Sequence, residues 1–127
     1  MLDGVYYGGQ DTWVVGERGT VTLTTFEVVA EPTRRRILDL LREREHLVGE
    51  LAVALDLSQP GASKHLRVLR EAGLVAVRQD AQRRWYGLNP APLVEVDDWL
   101  RPYRQLWADR LDALERHLDK MGERSGG

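Results

Sequence analysis

Apolar residues in the first half of the chain recur three and four positions apart, the spacing that gathers side chains on one face of a helix. Pro32 stands where such a helix restarts, because its missing N–H costs nothing in a first turn. Ser58 is a favourable helix N-cap, and Gly73 is the residue expected just beyond a helix C-terminus. The spacing predicts helices over about 24–30, 32–44, 48–55 and 59–72.

The period of the pattern changes after Gly73, where β-branched and aromatic residues become frequent. Two β-strands are predicted on either side of a short turn at residues 79–82. Pro90 and Pro92 end the second strand region. A β-hairpin therefore follows the fourth helix.

The longest predicted helix covers residues 93–121. Its apolar residues follow one another at steps of three or four over about three heptads, a pattern typical of a helix that packs against another helix. Pro102 lies inside this helix and is expected to kink it or divide it in two. The apolar positions are Val96, Trp99, Leu100, Tyr103, Leu106, Trp107, Leu111, Leu114, Leu118 and Met121.

Residues 1–22 stand apart from this helical pattern. Apolar runs flank Gly8 and Gly9, which favours either a small hairpin or a loose arm, and no chemistry is assigned to either. The sequence thus predicts an N-terminal arm or hairpin (1–22), a compact domain (23–92), a long helix (93–121) and a disordered tail (122–127).

Composition indicates an ordinary globular domain, and 127 residues are enough to bury a core. The chain has no cysteine, which excludes disulfides, thiolate metal sites and thiol switches. No apolar run approaches the roughly 18 residues that a membrane span needs. The first residues lack the basic and apolar regions of a secretory signal, so a cytoplasmic protein is expected.

Charge is distributed unevenly, although the net charge is only −2. Residues 58–87 carry six basic and two acidic residues, whereas residues 1–57 carry a net −4 and residues 88–127 a net −2. A basic segment between two acidic ones favours a polyanionic partner.

The order of the predicted elements is that of a winged helix-turn-helix domain: short helices, the last two joined by a tight turn, then a hairpin. A helix with a polar outer face and a hairpin bearing arginines would provide two DNA contacts per protomer. The predicted fold class is therefore mainly α with a small β-hairpin wing, followed by a long C-terminal dimerisation helix.

Five blocks of sequence stand in a specific order: EPTRRRIL at 31–38, VGELA at 48–52, LSQP at 57–60, SKHLRVLREAGLV at 63–75 and QRRWY at 82–86. With these blocks, residues 26–121 resemble the ArsR-type family of bacterial transcriptional repressors. The resemblance implies a homodimer with the first and last helices at its interface and the fourth helix in the major groove of DNA.

Two places depart from the family's pattern. Gly61 and Ala62 stand where a larger pair is usual, so the fourth helix has a glycine in its first turn, at a cost of up to about 1 kcal/mol. Ala81 replaces the usual glycine of the wing turn, which is expected to alter the turn type.

The resemblance assigns DNA contacts to the fourth helix and the wing. A helical projection places the family's base-reading positions on a polar arc, where glutamine suits adenine and lysine suits guanine or phosphate. His65 falls towards the buried side, so a packed histidine and a DNA contact are equal alternatives. The predicted DNA-binding residues are Gln59, Ser63, Lys64, His65, Arg67, Arg83 and Arg84.

Other arginines and the long helix have competing interpretations. Residues 34–36 are expected to form a solvated face with one phosphate contact at most. The long helix has more apolar surface than one small domain covers, which favours a dimer interface over an intramolecular core or an aromatic ligand pocket. The predicted interface residues are Trp99, Leu100, Tyr103, Trp107, Leu111, Leu114 and Leu118.

Metal sensing, which many relatives perform, has little support in these residues. Ala52 and Ala54 occupy both positions where one type of sensor has cysteine, and His117 is the one histidine of the last helix, so no metal or other cofactor is expected. Ser63-Lys64-His65 is contiguous on a helix and cannot form a catalytic relay, and no phosphate-binding motif is present, so an enzyme is not expected.

The sequence is therefore interpreted as a metal-independent repressor that binds a palindromic operator of double-stranded DNA as a homodimer, with no membrane partner. A small organic inducer is left open. The alternatives are a metal-responsive repressor of the same family and a helical protein-interaction module without specific DNA binding.

Overall fold

The computed structural model describes residues 13–15 and 23–126. The chain divides into two compact units, residues 1–94 and residues 95–127. No helix in the described ranges is long and apolar enough to cross a membrane. In chain order the elements are β1 (Val14–Val15), α1 (Thr25–Ala30), α2 (Pro32–Glu43), β2 (His46–Leu47), α3 (Val48–Leu55), α4 (Gln59–Glu71), β3 (Val75–Asp80), β4 (Arg83–Leu88) and α5 (Leu93–Gly126).

The first two helices begin at side chains that satisfy free backbone N–H groups. Thr24 Oγ1 accepts from the Glu27 N–H at 3.1 Å, and Glu27 Oε1 accepts from the Thr24 N–H at 3.2 Å, which together form a capping box. Glu31 caps α2 by accepting from the Arg34 N–H at 3.0 Å, and proline occupies the first turn. The helix restart predicted at Pro32 is confirmed.

A tight turn joins α3 to α4. Asp56 takes a left-handed φ of 54°, a conformation that aspartate tolerates better than most residues, and the Leu57 N–H donates back to the Ala52 carbonyl at 2.9 Å. Ser58 follows as the N-cap of α4, its Oγ accepting from the Gly61 N–H at 3.0 Å. Both ends of the turn are hydrogen-bonded, so the two helices of the helix-turn-helix are held in one arrangement.

The C-terminus of α4 is a Schellman motif. Gly73 has a φ of 79° and donates its N–H to the Arg70 carbonyl at 2.9 Å, while the Leu74 N–H donates to the Leu69 carbonyl at 3.0 Å. A side chain at this φ would be strained, which is why glycine is suited to the position. The sequence-based prediction that Gly73 ends the helix is confirmed.

In the part of the chain that the structure describes, the predicted two-stranded hairpin belongs to a larger, four-stranded antiparallel sheet of order β1-β3-β4-β2. β3 and β4 pair from Val75 and Leu88 at the base to Asp80 and Arg83 at the tip. β2 adds to the outer edge of β4, and β1 adds to that of β3. Each added strand has two residues, too few for an apolar period to predict.

β1 belongs to the segment 1–22 for which an arm or small hairpin is predicted. Most of that segment lies outside the described residues. Within the part that is described, Val14 pairs with Val77 and Val15 pairs with Ala76. Residues 13–15 are therefore joined to the domain that the sequence assigns to 23–92.

The core of the first unit lies between the helices and the inner face of the sheet. Side chains from α2, α3, α4 and both wing strands meet there, and burial of each large one contributes about 1.5–3 kcal/mol. The fully enclosed members include Val28, Ile37, Leu51, Leu66, Leu69, Leu74 and Val75.

α5 is a single helix from Leu93 to Gly126. Of the two effects expected of Pro102, division is wrong and a kink stays a prediction, and the expected end of the helix at residue 121 is corrected. Pro102 does not divide it, because proline removes one backbone hydrogen bond while the rest of a 34-residue helix keeps its own. The helix also continues past Met121 through most of the segment 122–127 that was predicted to be a disordered tail. The glutamate and arginine of that segment are good helix formers.

The wing turn consists of Ala81 and Gln82. Ala81 has a φ of 55°, and Gln82 does not have a positive φ, which is the pattern of a type II′ turn. Glycine is favoured at the first of these positions because a β-carbon there clashes with the backbone. The departure of Ala81 from the family's pattern therefore leaves strain at the tip of the wing.

We expect Ala81→Gly to raise the free energy of unfolding by about 1 kcal/mol, since relief of left-handed strain outweighs the greater chain entropy of glycine. Urea denaturation measures the change. Ala54→Gly is the matched control, because Ala54 is exposed inside α3 and should lose about 0.5–1 kcal/mol. Loss of stability in both variants would contradict the strained turn.

Candidate nucleic-acid interface

The outward face of α4 is polar because its opposite face is part of the core. Ala62, Leu66 and Leu69 are at most 1% exposed. Side chains on the other side of the helix therefore face solvent. The exposed residues of α4 are Gln59, Pro60, Ser63, Lys64, Arg67 and Glu71. The sequence predicts DNA contacts for four of them, Gln59, Ser63, Lys64 and Arg67.

The start of α4 is rigid. Ser58 caps the helix and Pro60 fixes its first turn. A Cβ at Gly61 would lie 3.0 Å from Ser58 Oγ, so glycine leaves the cap hydroxyl room to accept the Gly61 N–H.

His65 points towards the start of α2. Its side chain is 26% exposed, and its Nδ1 lies 3.8 Å from Glu31 Oε2. Partial burial raises the pKa of Glu31, but hydrogen bonds from the Thr33 and Arg34 N–H groups, with the charges of His65 and Arg34, lower it below its usual value overall. The geometry favours the packed alternative for His65 over direct contact with a base.

Two of the three consecutive arginines in α2 bind the C-terminus of α1. Arg34 Nε donates to the Val28 carbonyl at 2.7 Å, and Arg35 Nη1 donates to the Val29 and Ala30 carbonyls at 2.8 and 3.0 Å. These bonds satisfy carbonyls that the end of a helix leaves without partners. The expected solvated face is wrong for Arg34, which is partly buried, whereas Arg35 and Arg36 are exposed as expected.

Arg83 and Arg84 are both exposed at the tip of the wing. Successive strand residues point to opposite faces, so the two arginines do not share a face. Arg84 lies on the side of Tyr86, with its guanidinium carbon 5.9 Å from the centre of that ring. Arg83 lies on the side of Trp85. A partner lying flat against either face of the hairpin meets one arginine.

Four residues on the outer face of the sheet form a group that we call the outer-face cluster: Trp13, Glu45, Arg78 and Trp85. The guanidinium carbon of Arg78 lies 5.4 Å from the ring centre of Trp13 and 5.6 Å from that of Trp85. Arg78 Nε donates to Glu45 Oε2 at 3.1 Å, and its Nη2 donates to Glu45 Oε1. A central cation is thus held by two rings and a carboxylate.

Sequence reasoning missed the outer-face cluster. One signal was available in Gly87, because a glycine inside a strand often marks a close approach. A Cβ at this position would lie 2.8 Å from Trp13 Cη2, so the indole packs directly on the backbone of β4. The sequence does not show which distant residue makes that approach.

The side chains that the sequence assigns to a dimer interface form the apolar face of α5. Leu100 is partly buried, and the others are about half exposed or more, with Leu111 at 65%. Trp99 and Tyr103 contact each other with their ring centres 5.0 Å apart. The exposed members are Trp99, Tyr103, Trp107, Leu111, Leu114 and Leu118, and Leu106 and Met121 extend the same face.

The positions considered for metal binding do not converge. Ala52 is buried and Ala54 is exposed on α3, and His117 lies on the exposed surface of α5. Within residues 13–15 and 23–126, no three histidine, aspartate or glutamate side chains are grouped so that they could hold a metal ion.

A profile of the family described as "Bacterial regulatory protein, arsR family" matches residues 31–77, from the start of α2 into β3. A relative, "Transcriptional repressor SdpR" of Bacillus subtilis (strain 168), is 33% identical over 75 residues. The match covers 59% of this chain and 83% of the relative.

Solved structures give the same result. One, described as "Possible transcriptional regulator for arsenical resistance", is 41% identical with a TM-score of 0.59, covering 69% of this chain and 97% of that one. Another is the homodimeric winged helix-turn-helix DNA-binding domain of a possible ArsR-family regulator from Mycobacterium bovis. It is 26% identical with a TM-score of 0.52, covering 63% of this chain and 74% of that one. The chain belongs to the ArsR family, a family of bacterial transcriptional regulators and not of enzymes.

Proposed function

We propose that this protein is a metal-independent transcriptional repressor that binds a palindromic DNA operator as a homodimer. One observation carries the proposal: a capped, rigid helix presents Gln59, Ser63, Lys64 and Arg67 to solvent in the same domain as a wing tipped with two arginines. Membership of the ArsR family supports it.

In the proposed complex, α4 lies in the major groove. Gln59 at the first turn bonds adenine through both atoms of its amide, and Lys64 meets guanine acceptors or a phosphate. Ser63 and Arg67 on the same face reach the backbone or neighbouring bases, and their contacts set the register of the helix. Arg83 or Arg84 meets a phosphate or the minor groove with the wing.

The apolar face of α5 supplies the proposed dimer contact. Exposed apolar patches that are larger than a few hundred Å² are rare in monomeric proteins, and this face continues for several helical turns. Pairing with the same face of a second copy would bury it and create a two-fold axis. Each recognition helix covers only a few base pairs, so one helix alone reads a short half-site. Two helices related by a two-fold axis read two such half-sites, which together form a palindromic operator. The relative from Mycobacterium bovis, which is described as homodimeric, supports a homodimer.

Repression follows from occupancy of the operator, which blocks access to the promoter. With alanine at residues 52 and 54 and no cysteine in the chain, an ion has no thiolate site through which to release the DNA. Release would then depend on an organic ligand at the aromatic part of the dimer interface, or on regulated expression of the repressor.

Gln59→Ala should mainly relax sequence preference, at a cost of about 1–3 kcal/mol for the specific operator and little for random duplex. Arg83→Ala should weaken both, because a wing contact is mostly electrostatic. Fluorescence anisotropy measures the affinity for operator and for random duplex over a range of salt concentrations. The comparison of the two duplexes gives the sequence preference, and the salt dependence gives the electrostatic contribution.

Gln105→Ala and Arg116→Ala are matched controls on exposed positions of α5. Equal losses of specificity from Gln59→Ala and Arg83→Ala would contradict the separate roles of helix and wing. Wild-type binding to duplex that did not weaken with salt would favour the protein-interaction alternative instead.

Leu111→Asp should produce monomers that bind the operator much more weakly, because an aspartate near the two-fold axis meets its own copy in an apolar interface. Ala108→Asp adds the same charge outside the apolar face and should leave the dimer intact. Sedimentation velocity and operator titration test both variants. A Leu111→Asp protein that remained dimeric and fully bound would exclude the apolar face of α5 from the interface.

Operator affinity should be the same in EDTA and in excess Zn²⁺ at fixed ionic strength, because the apo protein already holds the DNA-competent state. The titration is repeated with His117→Ala. A stoichiometric effect of metal beyond about tenfold, on the order of 1.4 kcal/mol of coupling, that the variant abolished would show that the protein responds to metal.

A further inference from the structure

The wing is a two-stranded ribbon that is supported on both edges near its base. On the β4 edge, β2 pairs with Trp85 and Tyr86. On the β3 edge, β1 pairs with Ala76 and Val77. Two residue pairs lie between Arg78 and the turn, so the part of the wing that neither β1 nor β2 pairs with at its tip is short. Among the described residues, β1 is the strand that pairs with the β3 edge, so without it that edge would lack a paired strand along its whole length.

Trp13 extends the support from β1 across the outer face of the sheet. Its ring lies against the backbone of Gly87 in β4, on the far side of β3 from β1. The same ring contacts the guanidinium of Arg78 in β3. One side chain therefore contacts both strands of the wing.

Arg78 connects Trp13 to residues nearer the tip of the wing. Its side chain is only 18% exposed, and Glu45, just before β2, holds it with two hydrogen bonds. Trp85 lies against the same guanidinium and is two residues from Arg83 on the same face of β4. The position of the strand that carries Arg83 is thus tied to Trp13 through Arg78 and Trp85.

We propose that Trp13 is a positioning residue for the wing, and that β1 with the outer-face cluster holds Arg83 and Arg84 where they meet DNA. The proposal rests on the proposed function of the protein. It assigns a role in DNA binding to a residue outside the stretch that the family profile covers. Trp13 acts through the wing and contacts no DNA itself.

The test compares operator affinities in two backgrounds. Trp13→Ala alone should weaken operator binding about tenfold and flatten its salt dependence, because a displaced wing loses phosphate contacts. In the Arg83→Ala/Arg84→Ala background, Trp13→Ala should reduce operator affinity less than about twofold. The DNA contacts of the two wing arginines, through which Trp13 acts, are already absent there. Trp13→Phe keeps a ring over Gly87 and Arg78 and should restore most of the affinity.

A second variant disturbs the contact between Trp13 and Gly87 by changing Gly87 instead of Trp13. Gly87→Ala places a methyl group where the Trp13 ring lies, so it should reproduce the loss of affinity in the wild-type background. With Trp13→Ala already present, the methyl group has room and should add little. Hydrogen exchange of residues 76–86 should be faster in both single variants, while circular dichroism at 25 °C shows that the helices remain folded.

The outcomes separate this proposal from the function on which it rests. If Arg83→Ala/Arg84→Ala weakens operator binding but Trp13→Ala does not, the positioning role is wrong and the proposed function stands. Equal losses from Trp13→Ala in both backgrounds would also overturn the positioning role, because they would not pass through the wing. If wild-type protein shows no salt-dependent preference for any duplex, the proposed function fails and this role in DNA binding fails with it.

Discussion

The packing of Ala62, Leu66 and Leu69 into the core holds α4 in one rotational position. A helix turns about 100° per residue, so a rotation by one such step would expose Leu69 and bring Ser63 towards the core. Ser58 at one end and the Schellman motif at Gly73 at the other fix where the helix starts and stops. The polar surface that α4 presents is therefore set by interactions on its opposite face and at its ends.

These determinants are local in sequence, which is why the sequence predicts them. The spacing of leucines gives the buried face of α4, and the capping residues give its ends within a residue of those observed. Of the α4 residues predicted to bind DNA, Gln59, Ser63, Lys64 and Arg67 are exposed, whereas His65 is partly buried. The hairpin is predicted for the same reason, since its two strands and turn are contiguous in the chain.

The contacts that the sequence does not predict are those between residues that lie far apart in the chain. β1 joins β3 across more than sixty residues, and Glu45 meets Arg78 across 33. For β1 the sequence leaves a hairpin and a loose arm as alternatives, and no period within β2 distinguishes it from a loop. His65 and the paired arginines of α2 illustrate the same limit at the level of single side chains. Histidine and arginine side chains can face either solvent or DNA. Their surroundings here are set by the positions of Glu31 and of the α1 carbonyls in the folded protein.

Arg78 and the wing arginines differ in how ionic strength acts on them. Arg78 is mostly enclosed between two indole rings, so dissolved ions screen its attraction to Glu45 only weakly. Arg83 and Arg84 are exposed, and their attraction to a polyanion falls steeply as salt rises. An increase in salt would therefore release a bound nucleic acid well before it loosened the sheet. The protein can then pass between free and bound states by exchanging counterions, with its own fold unchanged.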